Sequence, residues 1–249
     1  MLKPILFGIT QGLTEFLPVS SSGHLYILKR ILNSPQDYLS FFIFLHIATL
    51  LAIVLVLKRQ VWLALINKNF LIYLATTTLI TGIIGFLIDR FLKASFDNKY
   101  FVSLCLMVNA LILLRLKNIK GQKDWGDFKL KDALTLGVLQ GLAIFPGISR
   151  AGITISSLLK RGFKPQEAFS LSFLMAIPTI LAAFIFRYLV HPQQLLSPSI
   201  PGIELSLGFL AAFCSGFIAL LIVKKTLITH KFRNFGYYCF GLSLLGLLV

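Results

Sequence analysis

Gly8-Ile9-Thr10-Gln11-Gly12-Leu13-Thr14-Glu15-Phe16-Leu17-Pro18-Val19-Ser20-Ser21-Ser22-Gly23-His24 returns half a chain later as Gly137-Val138-Leu139-Gln140-Gly141-Leu142-Ala143-Ile144-Phe145-Pro146-Gly147-Ile148-Ser149-Arg150-Ala151-Gly152-Ile153-Thr154. Both copies run Gly-x-x-Gln-Gly-Leu-x-x-Phe, then Pro, then Ser and Gly. Each starts as an apolar helix too short to cross a bilayer. Residues 4–17 and 133–145 reach only about 20 Å, against a hydrocarbon core of about 30 Å. Pro18 and Pro146 then stop the helices, and Gly23, Gly147 and Gly152 ease the turn. Each stretch is therefore expected to be a re-entrant hairpin that enters and leaves by one face. Irregular backbone at membrane depth is tolerated only where it is buried or lines a wet cavity.

The rest of the chain agrees with a membrane setting. Of its 249 residues, 57% are hydrophobic and 13% charged, with a mean hydropathy of +0.84. Soluble domains carry roughly 25% charged residues. Six apolar stretches approach spanning length, at residues 38–57, 70–88, 100–114, 167–190, 202–223 and 235–249. Lys3 precedes an apolar run, but Gln11, Glu15 and the lack of a small-residue cleavage site keep that run in the mature protein. The net charge of +15 gathers in short loops, at 117–131 and 224–233, as the positive-inside rule expects; nucleic-acid binding is set aside. Cys105, Cys214 and Cys239 lie in apolar spans without paired spacing and read as small core residues, not a disulfide or metal framework.

The likeness of the halves goes beyond the hairpins. Residues 40–52 match 170–182 at an offset of 130, and Cys105 matches Cys239 at an offset of 134. One hairpin plus three spans per half is an odd number of full crossings, which sends the second copy through the membrane upside down. The expected fold is an all-α polytopic membrane protein of two inverted-topology repeats, each a re-entrant helix hairpin plus three transmembrane helices. They form one integral membrane domain over residues 1–249, with repeat one at 1–131 and repeat two at 132–249. Inversion brings the two tips together near the midplane. Loop charge divides 7 against 16 between the two faces, with Arg150 at the site. The richer face is expected to be cytoplasmic and both termini outside.

Eight of the nine acidic residues lie in loops or near span ends; Glu15 is the exception, and Arg150 is its cationic counterpart. A charge inside a membrane is costly, so such residues point to function. A purely structural Glu15–Arg150 strut would leave the surrounding Ser20, Ser21, Ser22, His24, Ser149 and Thr154 without a reason. The turn residues sit where free N–H groups and the helix dipole favour an anion, and the Arg150 fork suits phosphate oxygens. Serines at helix starts are also ordinary caps; the convergence with Glu15, His24 and Arg150 is what raises them to a phosphate cradle. Ser21 and His24, three residues apart, are expected to share a helix face. His46, midway along a span, reads as a buried hydrogen-bonding residue at the edge of the site. Nucleophile, base and cationic clamp are the parts that phosphoryl transfer needs.

At these residues the sequence resembles the undecaprenyl-diphosphate phosphatases of the bacitracin-resistance type. The first motif stands here as Gln11-Gly12-Leu13-Thr14-Glu15 leading into Ser20-Ser21-Ser22-Gly23-His24, the second as Pro146-Gly147-Ile148-Ser149-Arg150-Ala151-Gly152-Ile153-Thr154. The resemblance implies hydrolysis of a polyprenyl diphosphate to the monophosphate and phosphate, with the site opening to the outer side of the bacterial plasma membrane, which recycles the lipid carrier for cell-wall synthesis. It implies Ser21, His24, Glu15 and Arg150 as catalytic residues, leaving open whether Ser21 or His24 accepts the phosphoryl group. Ser20, Ser22, Ser149, Thr154, Gly147 and Gly152 would hold the diphosphate. A divalent cation, Mg2+ or Ca2+, is implied, with Glu15 and Gln11 as its ligands. A homodimer is compatible with the sequence. Gln11 stands where Glu is commoner and Ala151 where the family has a second Ser, so one carboxylate and one hydroxyl are absent. Ser-Gly-His also resembles the membrane phosphatases named for phosphatidic acid, but they need a His where this chain has Ser156. A lipid-carrier flippase or transporter is the competing reading, since inverted repeats with broken helices serve transport as well.

Overall fold

The computed structural model describes residues 2–32, 39–92, 96, 98–116, 121–190 and 201–248. Among them are eleven α-helices, two short 3₁₀ turns and no strand. The chain is all-α. Helices α1 (Leu2–Phe16) and α2 (Ser21–Ile31) make the first hairpin; α3 (Leu39–Val56), α4 (Lys58–Ile66), α5 (Lys68–Leu92) and α6 (Lys99–Leu114) follow. Helices α7 (Leu130–Leu142) and α8 (Arg150–Lys160) make the second hairpin, followed by α9 (Pro165–Val190), α10 (Gly202–Ile228) and α11 (Phe235–Leu248).

Three of these, α5, α9 and α10, are long and apolar enough to cross a membrane alone; α3 and α4 qualify as one bent pair. The expected spans at 100–114 and 235–249 form α6 and α11, of 16 and 14 residues. Tyr38, Lys93, Lys117, Lys120 and Val249, which bore on the expected spans and loop charges, lie outside the described residues. Apolar side chains such as Leu79, Ile83 and Phe86 on α5, and Leu210 and Ile218 on α10, are exposed, as lipid-facing surface requires.

A loop was expected after residue 57, yet α4 forms there at 84° to α3. Lys58 and Arg59 open it, and Trp62 (65% exposed), Leu63, Leu65 and Ile66 face outward. A short helix with basic residues and an uncovered Trp suits the plane of a membrane interface. Cys105 and Cys239 are buried as expected, whereas Cys214 is exposed on α10.

The duplicated glycines turn out to be packing positions. Helix α1 lies against α10, and α7 against α5, so each hairpin docks on a long helix of the other half. A Cβ on Gly12 would run into the Ser215 hydroxyl and the Ala212 carbonyl of α10. A Cβ on Gly141 would stand 2.6 Å from Ile84 Cβ on α5. Small residues let helix backbones approach where lipid gives no hydrophobic drive for association. Thr77 and Thr81 of α5 add hydroxyl bonds, each 3.1 Å, to the Ala133 and Gly137 carbonyls of α7. Helices α6 and α11 pack on each other beside the hairpins. The Gly-x-x-Gln-Gly pattern thus seats the hairpins, and the chemistry lies beyond it.

Candidate active site

The two hairpin tips meet. Helices α2 and α8 are each 11 residues long, and each starts after a capping serine. Ser20 Oγ accepts the Gly23 N–H at 3.3 Å, and Ser149 Oγ accepts the Gly152 N–H at 3.1 Å. The first residue after the cap is Ser21 in one helix and Arg150 in the other. The same side-chain cap bond, made twice, starts a helix that presents a hydroxyl from one side and a guanidinium from the other.

The tips are also clipped together. Ser20 Oγ accepts a second bond, from the Gly147 N–H at 3.1 Å. Buried Asn109 of α6 donates to the Pro18 carbonyl at 2.9 Å and accepts the Ser149 N–H at 3.0 Å. Ser20 sits at φ +68° and Gly147 at φ +97°. Only glycine adopts that left-handed region freely, so Ser20 carries strain of roughly 1–3 kcal/mol, offset by the bonds it makes.

Glu15, at the end of α1, is the hub. Its Oε1 accepts from Arg150 Nη2 at 3.0 Å. Its Oε2 accepts the Ser21 hydroxyl at 2.8 Å and the Gln11 amide N–H at 3.1 Å. The His46 Nε2 of α3 stands 3.7 Å from the same oxygen. The Glu15 and Arg150 side chains are only 10% and 15% exposed, so removing either partner would leave a buried charge unpaired. Arg150 also lies over the Phe173 ring, 5.5 Å from its centre, while its Nη1 is buried without a hydrogen-bond partner. An unsatisfied guanidinium N–H beside a hydroxyl aimed at a carboxylate is chemistry waiting for an anion. The Ser21 and Ser22 amides, in the open first turn of α2, have no intrahelical acceptor and add N–H groups at the helix's positive end.

His24 lies elsewhere than expected. Its Nδ1 pairs with the Ser20 carbonyl at 2.8 Å and its Nε2 with the Tyr238 hydroxyl of α11 at 2.7 Å. The two rings are parallel, 5.6 Å apart. The partner of Ser21 is therefore Glu15, and His24 stands at the rim with both ring nitrogens engaged. Among the intended phosphate ligands, Ser22 is exposed, with its hydroxyl 3.1 Å from that of Ser20. Ser20, Ser149, Gly147 and Gly152 hold the turn by the bonds described. Thr154 is fully buried, donating to the Arg150 carbonyl at 2.7 Å and sharing a 2.6 Å contact with the Ser172 hydroxyl. It secures α8 and does not face the opening. Ala151 is buried in the main apolar core, so the hydroxyl absent there is not absent from the tip.

The donor set does not fit a resident divalent cation. No group of three or more His, Cys, Asp or Glu side chains is placed to hold a metal among the described residues. Gln11 turns its amide N–H, not its oxygen, to Glu15, and both Glu15 oxygens are taken, one by a guanidinium. Hard cations seek several oxygen ligands, carboxylates above all, and here one paired carboxylate and the unpartnered Gln11 amide oxygen are on offer.

The sequence that builds these tips has known relatives. A family model described as Bacitracin resistance protein BacA matches residues 4–245. The chain belongs to this family. An undecaprenyl-diphosphatase from Thermosipho africanus (strain TCF52B) is 37% identical over 256 residues, spanning 100% of both chains. Relatives of that name from Thermosipho melanesiensis and Methanococcus vannielii are 38% and 36% identical, over 96% and 98% of both chains. The resemblance read from the two motifs thus extends along the whole BacA-type chain. His46, expected as a buried hydrogen-bonding residue at the edge of the site, does pair with the Phe42 carbonyl, but its side chain is part exposed and 3.7 Å from Glu15. Motif reading passed over two residues of the site, Asn109 and Tyr238, because helix packing alone brings them to the tips.

Proposed function

We propose that this chain is a membrane hydrolase that converts undecaprenyl diphosphate to undecaprenyl phosphate and inorganic phosphate. The observation that carries the reading is the Glu15 carboxylate, which accepts the Ser21 hydroxyl on one oxygen and the Arg150 guanidinium on the other. Arg150 and the first-turn amides of α2 hold the terminal phosphoryl group. Ser21 Oγ attacks its phosphorus while Glu15 takes the hydroxyl proton. The phosphorus–oxygen bond to the bridging oxygen breaks, and its electron pair leaves on the lipid monophosphate. Water then hydrolyses the phosphoserine. Proton transfer by a positioned carboxylate contributes roughly 10²–10⁴-fold, and cationic stabilisation of the equatorial oxygens supplies much of the rest.

Ser21 is the nucleophile in this account and His24 is not, since His24 is bound to Ser20 and Tyr238. A divalent cation, Mg2+ or Ca2+, would offset charge on the diphosphate, with Glu15 and Gln11 the nearest oxygen-bearing side chains of this tip. In this reading the two halves are inverted repeats, the basic loops lie on the cytoplasmic side as the positive-inside rule expects, and the tips open outward in the bacterial plasma membrane. A flippase would need Arg150 for the headgroup but gains nothing from a serine hydroxyl bonded to a buried glutamate.

Detergent-purified protein should release phosphate from undecaprenyl or farnesyl diphosphate when magnesium or calcium is supplied. Ser21→Ala should lose roughly 10⁴-fold or more, as when a nucleophile is deleted from a unit that acts together. Full activity in Ser21→Ala, or no release by the unaltered protein, would overturn the proposal.

A further inference from the structure

We infer that His46 is a catalytic residue of the second half-reaction, the base that holds and deprotonates the water that hydrolyses the phosphoserine. The inference rests on Ser21 as the nucleophile. His46 Nδ1 lies 2.7 Å from the Phe42 carbonyl oxygen. A carbonyl can only accept, so Nδ1 carries a hydrogen, and Nε2 is the nitrogen left to take up and release a proton. The protein backbone has fixed the tautomer, and the basic nitrogen points toward Glu15.

Its spacing there is informative. At 3.7 Å, Nε2 and Glu15 Oε2 are too far apart for a hydrogen bond with each other. They are close enough for one water oxygen beside them to reach both. The His46 side chain is 38% exposed, so that position is open and not packed shut. Oε2 is also the atom that accepts the Ser21 hydroxyl. During hydrolysis Glu15 Oε2 serves Ser21 Oγ, so the water stays on His46 Nε2 alone and approaches the phosphorus opposite Oγ, as in-line displacement requires.

Proton bookkeeping assigns the role. After the first step Glu15 holds the proton taken from Ser21. The departing lipid phosphate is a weak base and needs none. In the second step the water oxygen bonds to phosphorus, the phosphorus–Oγ bond breaks, and Ser21 Oγ must regain a proton. Glu15 returns its own, so it cannot also take one from the water. His46 Nε2 accepts that proton and then passes it to solvent as phosphate departs. The other imidazole near the tips, that of His24, has both nitrogens engaged. The elements around His46 offer no rival base. Arg150 of α8 is a permanent cation. Helices α9 and α10 carry their acidic and basic residues toward their ends, at Glu167, Arg187, Glu204, Lys224 and Lys225.

The test is a quenched-flow measurement on purified protein with farnesyl diphosphate labelled in its terminal phosphate. His46→Ala and His46→Gln should still release a first burst of farnesyl monophosphate, near one per enzyme. Steady turnover should fall about 10²–10⁴-fold, and label should accumulate on Ser21. The burst itself reports a folded site in either variant. Added imidazole should restore turnover of His46→Ala without changing its burst. If label maps to Ser21 but neither variant accumulates it, and burst and turnover fall together, His46 has no separate part in hydrolysis and the inference is overturned. If quenched samples carry label on another residue, the Ser21 reading fails first and takes this inference with it.

Discussion

The two hairpins share a plan and differ in almost everything the plan leaves free. Both run a short helix, a proline-broken turn, a capping serine and an 11-residue returning helix. In the second, the returning helix is nearly all buried, from Ala151 to Ser156 and again at Leu158 and Leu159. Its open end is tied by the Asp132–Arg161 ion pair, with the two side chains 7% and 26% exposed. In the first, only Gly23, Leu25 and Ile27 of the returning helix are buried. At its open end Lys3 donates an exposed bond to the Leu32 carbonyl at 3.1 Å. The buried hairpin presents Arg150, and the open one presents Ser21, Ser22 and His24. A rigid half thus carries the cationic clamp, while a looser half carries the group that must form and break a bond. Preorganised charge is most effective when it does not move during reaction, and a nucleophile that must admit a long lipid benefits from an open side.

The largest effect expected from this contrast is at Arg150. Arg150→Ala strips the clamp and leaves Glu15 as a buried, unpaired charge, so turnover should collapse and the protein should lose roughly 3–5 kcal/mol of stability. Arg150→Lys restores the charge but not the fork, and should recover stability well ahead of kcat/KM. Thermal unfolding in detergent alongside phosphate release separates the two. If lysine restored both together, charge alone would matter and the planar donor set would have no special part.

The next effect divides the hairpin bases. Asp132→Asn leaves Arg161 without its buried partner and should cost on the order of 3 kcal/mol. Lys3→Ala removes an exposed contact and should stay within about 0.5 kcal/mol. Neither residue touches the tips, so kcat per folded molecule should hold in both. Equal destabilisation would erase the claim that the second hairpin is the fixed half.

How much of this was legible in sequence depended on whether a residue stood out against an apolar background. Glu15 and Arg150 did, because a charge inside a membrane demands a reason, and the structure pairs them at 3.0 Å. The repeated motif located both tips for the same reason. The sequence reads Ser149 and Thr154 as phosphate ligands, and the structure gives Ser149 a cap bond and Thr154 a contact with Ser172, roles that the sequence does not separate from meeting a ligand. Only burial tells these apart. His24 was drawn to Ser21 by its spacing of three, but its ring turns to Tyr238, 214 residues away, and no local pattern encodes that. The bend into α4 was hidden because Lys58, Arg59 and Gln60 read as a charged loop, whereas they open a short helix.

The smallest effect concerns Gln11, the neutral member of the Gln11–Glu15 pair. As it stands, the fully buried Gln11 donates to Glu15 Oε2 at 3.1 Å, competing for the oxygen that receives Ser21. Gln11→Glu replaces that donor with a second acceptor, and two carboxylates side by side repel unless a proton or a cation lies between them. With Arg150 already committed to Oε1, a divalent ion is the natural counter-charge, and paired carboxylate oxygens suit magnesium and calcium. Gln11→Glu should therefore lower the cation concentration needed for half-maximal turnover, while saturating rates change only a few-fold. The unaltered protein should instead follow the cation's affinity for the free diphosphate, since the ion arrives on the substrate. Titrating magnesium and calcium at several diphosphate concentrations distinguishes these cases. If Gln11→Glu left the titration where it was, position 11 would not reach the ion at all. The difference between this tip and a two-glutamate tip would then lie in how firmly Glu15 is held for Ser21.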